Sequence, residues 1–166
     1  MEALSQIADT PGLMLVTAGL AEIAAPPGVA HRHMGAIADE PTMARIYNAA
    51  DVVAIPSIED NLPNTMLEAL ACGVPVAGFE TGGVGETIQA GRTGLLAEPG
   101  DAYGLGRAIA DLLADDSARR ELAENCRQTA ERQFSQSASA GAYMQLYRRL
   151  LGHDTEGPAS TDGLVR

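Results

Sequence analysis

Short, uninterrupted apolar runs alternate along this sequence with segments of helical periodicity, and this alternation restricts the fold more than any other feature. Such runs are typical of parallel strands that are buried on both faces of a sheet. Strands that alternate with helices indicate a doubly wound arrangement. We therefore predict an α/β fold with a doubly wound parallel sheet. The predicted strands cover residues 13–18, 29–34, 52–55, 74–77 and 94–97.

Helical periodicity continues after the last predicted strand, in three long segments of mixed charge. We interpret these segments as C-terminal packing helices, and the apolar spacing in the last one predicts a buried stripe of Tyr143, Leu146, Tyr147 and Leu150. The predicted helices cover residues 2–8, 42–50, 64–72, 86–89, 101–114, 118–132 and 135–151.

Length and charge limit the classes of protein to which this chain can belong. Residues 1–151 fit one domain, and residues 152–166 lack periodicity and are predicted to form a loose tail. The formal net charge of −11 argues against a nucleic-acid partner, because phosphate backbones are bound by clustered Lys and Arg. Cys72 and Cys126 lack metal-ligand spacing and are interpreted as buried, reduced thiols of a cytoplasmic protein. No signal peptide or membrane-length apolar run is apparent.

Ligands of doubly wound sheets bind at the carboxyl ends of the strands, and one loop predicted at that edge is rich in polar groups. Glu59 and Asp60 lie in this loop, and a helix is predicted to begin at Asn64, a favourable N-cap residue. The first N–H groups of a helix lack partners within it, so a diphosphate can bind there without lysines. The hydroxyl of Thr65 could add another donor. The loops predicted at this edge are residues 19–28, 35–40, 56–63 and 78–85.

Glu68 lies four residues after Asn64 and is predicted to share its helix face. A carboxylate in this position can accept two hydrogen bonds from a vicinal diol, such as that of a ribose. An acid near the start of a helix is also stabilised by the helix dipole without any ligand. The residue pattern alone leaves both interpretations open.

Four motifs follow one another between residues 47 and 96. Residues 47–52 have the sequence YNAADV, and Asp60 and Glu68 are separated by seven residues, with EALACGVPV starting at Glu68. Residues 82–86 have the sequence GGVGE, and residues 91–96 have the sequence GRTGLL. This ordered set resembles glycosyltransferase family 4. The resemblance covers roughly residues 13–151, and the ordered set is specific although each motif alone is weak.

The resemblance implies the fold and the roles of several residues. The fold would be the Rossmann-like, donor-binding half of a GT-B glycosyltransferase. Glu68 would bind the ribose of a nucleotide sugar, and the first acid, either Asp60 or Glu59, would contact hydroxyls of the donor sugar as the catalytic-site acid. The transfer would be retaining, without a metal ion or a cofactor. The remaining positions assigned to the donor site are Leu62, Asn64, Thr65, Met34, Gly35, Gly82 and Gly83.

The segment DNLPNT resembles a subgroup that acts in polysaccharide and lipopolysaccharide synthesis. The acceptor implied is therefore a glycan or a lipid-linked glycan. The family's first strand of this domain, its G-R-x-x-x-x-K-G segment and its acceptor-binding N-terminal half have no counterpart here. We expect a fragment that binds a donor weakly and catalyses little alone, with acceptor and membrane contacts made by the absent half.

Other functions remain open at this stage. A nucleotide-sugar epimerase has the same architecture, a nucleotide-sugar-binding module would lack catalysis, and a flavodoxin-like signalling domain would use Asp51. His31 and His33 share one strand face, either as a metal pair or, as we favour, in a structural role. Among the arginines, Arg92 is the better candidate for approaching a phosphate, because glycines flank it.

Overall fold

The computed structural model describes residues 2–152, and all strand pairs in it are parallel. Helices separate most of the strands along the chain, so the predicted parallel α/β class is confirmed. Each predicted strand is present, with bounds that differ by up to two residues. The strands are β1 (Met14–Thr17), β2 (Ala30–His33), β3 (Val53–Ile55), β4 (Val76–Phe79) and β5 (Gly94–Ala97).

Seven helices surround these strands in the described part of the chain, and a π-helical turn at Ala130–Phe134 joins the last two. The helix after β2 begins with Asp39 as N-cap, whose carboxylate accepts from the N–H of Thr42 at 2.9 Å. The helices are α1 (Glu2–Ser5), α2 (Glu40–Asn48), α3 (Asn64–Ala71), α4 (Gly82–Thr87), α5 (Ala102–Ala114), α6 (Asp116–Thr129) and α7 (Gln136–Leu150).

The strands form two hydrogen-bonded ladders, β1–β2 and β3–β4–β5. All four residues of β4 are buried, as expected for a central strand with covered faces. Burial on both faces does not hold for β1, where Met14 and Val16 are 58% and 43% exposed. Among residues 2–152, β1 packs mainly against β2 and no helix covers this face, so alternate residues of both strands are exposed.

Two hydrophobic cores lie on the two faces of the β3–β4–β5 ladder. Val76 of β4 packs with Met66 and Leu70 of α3 in the first core. Phe79 of β4 packs with Leu105 of α5 in the second. The side chains of β4 therefore fix α3 on one face of the ladder and α5 on the other.

The end of α3 explains why β4 begins two residues later than predicted. Gly73 has a φ of +74°, its N–H donates to the carbonyl of Leu70, and the N–H of Val74 donates to the carbonyl of Ala69. This pair of bonds is a Schellman motif, so Gly73 ends the helix, in agreement with the predicted helix over residues 64–72. Because Val74 is engaged in the helix end, the strand starts only after Pro75.

The predicted buried stripe of α7 is wrong. This helix has no buried residue and packs mainly against the π-helical turn. Among residues 2–152, no other element covers its apolar side chains. The exposed fractions are 61% for Tyr143, 45% for Leu146, 54% for Tyr147 and 72% for Leu150.

Among residues 2–152, no helix has the length and apolar character needed to cross a membrane. The predicted tail lies outside the described residues beyond Gly152.

Candidate functional site

Half of the predicted site residues lie in loops that follow strands of the ladders, and the other half lie in α3 and α4. Residues 56–63, here called the acid loop, follow β3, and Glu80 and Thr81 connect β4 to α4. Because β3 and β4 are parallel neighbours, these two connections leave the ladder at the same edge, which is the carboxyl end of the strands.

Two hydrogen bonds join the acid loop to the start of α4. The hydroxyl of Thr81 donates to the carbonyl of Ile58 at 2.9 Å, and the N–H of Gly83 donates to the carbonyl of Asn61 at 2.7 Å. A Cβ atom at Gly82 would lie 1.9 Å from the carbonyl oxygen of Asp60, and one at Gly83 would lie 2.1 Å from that of Asn61. Both glycines are therefore needed for this close approach of two backbones.

The glycine-rich segment is helical rather than a turn that precedes a helix at residues 86–89. The N–H groups of Val84 and Gly85 donate to the carbonyl of Thr81, so α4 begins at Gly82 and ends at Thr87. The predicted bounds are wrong because packing against the acid loop outweighs the low helix propensity of glycine.

The start of α3 differs from the prediction in one detail. Pro63, not Asn64, is the N-cap, and its carbonyl accepts from the N–H of Met66 at 3.0 Å. Asn64 and Thr65 are the first two helical residues, and both are exposed. Their N–H groups have no carbonyl partner within the helix, which is the arrangement that suits a bound anion.

Glu68 lies one turn further along α3, is exposed, and therefore shares the helix face of Asn64. The hydroxyl of Tyr47 in α2 donates to its Oε2 at 2.9 Å. Burial, followed by this hydrogen bond and the carboxylate charge, raises the pKa of Tyr47 far above its usual value, so the hydroxyl keeps its proton. An ionised carboxylate has about four acceptor positions, so Glu68 can still accept from a diol.

Sequence reasoning missed the partners of Glu68 and of the acid loop. Tyr47 lies in the YNAADV motif but received no role, although a buried tyrosine needs a hydrogen-bond partner. Thr81 lies in the predicted loop over residues 78–85 and likewise received no role. No sequence signal identified the carbonyl of Ile58 as its acceptor.

The two candidate acids differ in exposure. Glu59 is exposed, whereas Asp60 is half-buried and its backbone carbonyl lies against Gly82. Leu62 is 42% exposed on the same loop.

Met34 and Gly35 extend the other ladder beyond β2. The N–H of Met34 donates to the carbonyl of Thr17 at 2.8 Å, and the carbonyl of Gly35 accepts from Gly19 at 2.9 Å. These bonds fix the backbone at the carboxyl end of β2. Among residues 2–152, no hydrogen bond joins this pair to the acid loop.

The two strand histidines share one face, as predicted. His31 Nε2 and His33 Nδ1 each lie 2.9 Å from the hydroxyl oxygen of Thr17. Within the described residues, no group of three or more His, Cys, Asp or Glu side chains is arranged to bind a metal ion. These contacts favour the structural role.

Four other residues lie away from the acid loop. Arg92 lies two residues before β5, at the amino end of that strand, so the parallel topology contradicts its predicted approach to a phosphate at the opposite edge. Asp51 also precedes a strand and pairs with Arg119 at 3.3 Å, which disfavours a phospho-acceptor role. Cys72 is half-buried rather than buried, whereas Cys126 is buried and its Sγ donates to the carbonyl of Thr93 at 3.3 Å.

Two shallow grooves of about 330 Å³ each lie outside the loop region. One runs between β5 and α5, and the other lies at the amino ends of β3 and β4 beside α6. Neither groove is lined by Glu68 or by the acid loop.

Known proteins resemble this chain in sequence and in fold. The sequence family described as "Glycosyl transferases group 1" matches residues 1–115 of the chain. The chain belongs to this family. The chain is similar to the D-inositol 3-phosphate glycosyltransferase of Corynebacterium urealyticum, to which it is 38% identical over 117 residues, or 70% of this chain and 27% of that protein.

A second relative in the glycosyltransferases is the lipopolysaccharide core biosynthesis glycosyltransferase LpsE of Rhizobium meliloti, 40% identical over 98 residues, or 59% of this chain and 29% of LpsE. The crystal structure of Anabaena HepE in complex with UDP-glucose has the same fold, with a TM-score of 0.70 at 22% identity, over 91% of this chain and 44% of that one. The chain therefore spans less than a third of both curated relatives, and the Rossmann-like half of a GT-B glycosyltransferase is its fold.

Proposed function

We propose that this chain is the donor-binding part of a retaining glycosyltransferase that takes its sugar from a nucleotide-diphosphate sugar. The observation that carries the proposal is the exposed carboxylate of Glu68 on the helix face that begins at Asn64. A diphosphate at the start of α3 would receive backbone N–H donors, and a ribose one helical turn further would meet Glu68. The UDP-glucose bound to HepE, which has the same fold, supports this class of ligand.

The acid loop would act on the sugar itself. In this proposal Asp60 or Glu59 accepts hydrogen bonds from sugar hydroxyls, while Leu62, Asn64 and Thr65 offer backbone donors to the sugar and diphosphate. Preorganised donors of this kind stabilise the negative charge that develops on the leaving phosphate, so no metal ion is required. Met34 and Gly35 would lie against the base, and Gly82 and Gly83 would border the sugar while they hold the acid loop.

The acceptor would be a glycan or a lipid-linked glycan in polysaccharide or lipopolysaccharide synthesis. The similarity to LpsE, a lipopolysaccharide core biosynthesis glycosyltransferase, supports this class of pathway. Acceptor binding and full activity would require parts of a longer protein, because the curated relatives are more than three times as long as the matched segment. The isolated chain would bind a donor and transfer a hexosyl group slowly or not at all.

Titration of UDP, GDP and ADP into the chain tests the donor site. One nucleotide is expected to bind best, and Glu68→Ala is expected to weaken it at least tenfold, which corresponds to about 1.4 kcal/mol. Glu98→Ala is the matched control, because Glu98 is an exposed glutamate that follows β5. Equal effects of the two variants would remove the ribose role from Glu68.

A further inference from the structure

Tyr47 and Glu68 lie 21 residues apart in sequence and meet between α2 and α3. The ring of Tyr47 belongs to the first hydrophobic core and is 7% exposed, whereas Glu68 is exposed on the surface above it. The hydrogen bond at 2.9 Å therefore links a side chain fixed by packing to one that solvent would otherwise leave mobile.

We propose that Tyr47 is a positioning residue, whose hydroxyl holds the Glu68 carboxylate in the orientation that receives both hydroxyls of a nucleotide ribose. This inference rests on the proposed function, in which Glu68 binds the ribose. Tyr47 itself lies beneath α3 and would not touch the nucleotide.

The physical argument is one of preorganisation. An exposed glutamate on a helix samples several rotamers, and binding that must freeze one of them loses side-chain entropy. The hydroxyl of Tyr47 restricts the carboxylate before any ligand arrives. Because the bond uses Oε2 from the core side, Oε1 and the remaining lone pair of Oε2 stay available to a diol.

A purely structural role is the competing explanation. A buried tyrosine needs a partner for its hydroxyl, and Glu68 would serve that purpose without any ligand. In that case removal of the hydroxyl changes stability but leaves the recognition of ribose intact. The two explanations therefore differ in the ribose preference, defined as the affinity for a nucleoside diphosphate divided by the affinity for its 2′,3′-dideoxy form.

The test measures this preference by titration of the chain with the tightest of UDP, GDP and ADP and with its dideoxy form. Tyr47→Phe keeps the buried ring and removes the hydroxyl. It is expected to lower the ribose preference about fivefold, the range of one hydrogen bond, with the dideoxy affinity unchanged. Tyr143→Phe, at an exposed tyrosine of α7, is the matched control and is expected to change neither affinity.

The double variant Tyr47→Phe/Glu68→Ala is expected to have the same preference as Glu68→Ala alone, because the tyrosine acts through the glutamate. Thermal unfolding of each variant establishes that it is folded at the titration temperature. If Tyr47→Phe is unfolded there, all titrations are repeated at a lower temperature at which thermal unfolding shows every variant to be folded.

Each outcome distinguishes the inference from the proposed function. If Glu68→Ala lowers the ribose preference and Tyr47→Phe does not, the positioning role is wrong and the ribose site stands. Equal losses of both affinities in Tyr47→Phe would assign the tyrosine a structural role alone. An unchanged preference in Glu68→Ala, or no binding of any of the three nucleotides at 10 mM, would overturn the ribose site and the inference with it.

Discussion

The N–H of Gly83 donates to the carbonyl of Asn61 at 2.7 Å, so the first turn of α4 and the acid loop are held together through their backbones. Gly82 makes a similarly close approach to Asp60. The position of the acid loop therefore depends on two residues that carry no functional group of their own.

Gly83→Ala is expected to destabilise the fold by about 1–3 kcal/mol, because the new Cβ would lie 2.1 Å from a backbone oxygen that cannot rotate away. Gly85→Ala in the same helix is the matched control, since its Cβ would meet the flexible side chain of Glu80 at 3.3 Å. Urea unfolding measures both values. A Gly83→Ala protein as stable as Gly85→Ala would contradict this prediction, because it would mean that the acid loop shifts to accommodate the new Cβ at little cost.

Asn64→Ala is expected to cost less than about 0.5 kcal/mol of stability, because the side chain of Asn64 does not cap α3. Asp115→Ala is expected to cost more stability than Asn64→Ala, since the Asp115 carboxylate accepts from the N–H groups of Ser117 and Ala118 as N-cap of α6. Thermal or urea unfolding compares the two. A larger loss in Asn64→Ala would restore the capping role predicted from sequence.

Asp60→Asn is expected to weaken UDP-glucose about tenfold while UDP binding stays unchanged, because a charged acceptor for sugar hydroxyls is lost. Glu59→Gln is the matched control and is expected to change neither affinity, since Glu59 is exposed whereas Asp60 is half-buried and held against α4. Calorimetric titration of both ligands separates the two acids. The opposite pattern would identify Glu59 as the first acid.

The buried thiol of Cys126 predicts a pH dependence of stability. Burial raises its pKa from 9.0 to about 12. The folded state then keeps a proton that the unfolded state has lost, so this contribution to stability is complete below pH 9 and is lost as the pH rises towards 12. The expected slope is up to about 1.4 kcal/mol per pH unit.

Cys126→Ala isolates this effect, because Tyr47, whose pKa is also raised, titrates in both proteins. Urea unfolding at several pH values between 9 and 11 is expected to give a shallower slope for the variant. Equal slopes would mean that Cys126 does not titrate differently in the two states.

Much of the α/β architecture could be predicted from the sequence, because apolar runs and turn residues are local signals. Gly73 marked the end of α3, and the runs that became β3, β4 and β5 marked a parallel ladder. The start of α4 could not be predicted, since its glycines are helical only through contact with the acid loop. The exposure of α7 also could not be predicted. Apolar periodicity identifies a stripe along a helix but does not show whether another element packs against it.

The residues of the candidate site could be predicted from the sequence, whereas the hydrogen bonds between its elements could not. The spacing of Asp60 and Glu68 is visible in the sequence, and α3 places Glu68 on the helix face of Asn64. The hydrogen bond between Tyr47 and Glu68 depends on how α2 packs against α3, which no local pattern encodes. The capping role of Asn64 failed for a related reason, since Pro63 already provides the first carbonyl of the helix.

The start of α3 offers backbone N–H groups within a segment, residues 56–86, that contains five carboxylates and no Lys or Arg. A diphosphate would therefore approach against a repulsive field and be attracted only at close range. Added salt shortens the range of that repulsion from about 30 Å at 0.01 M to about 8 Å at 0.15 M. Ionic strength is thus expected to speed the encounter of nucleotide and protein, the reverse of the behaviour of sites lined with lysine and arginine.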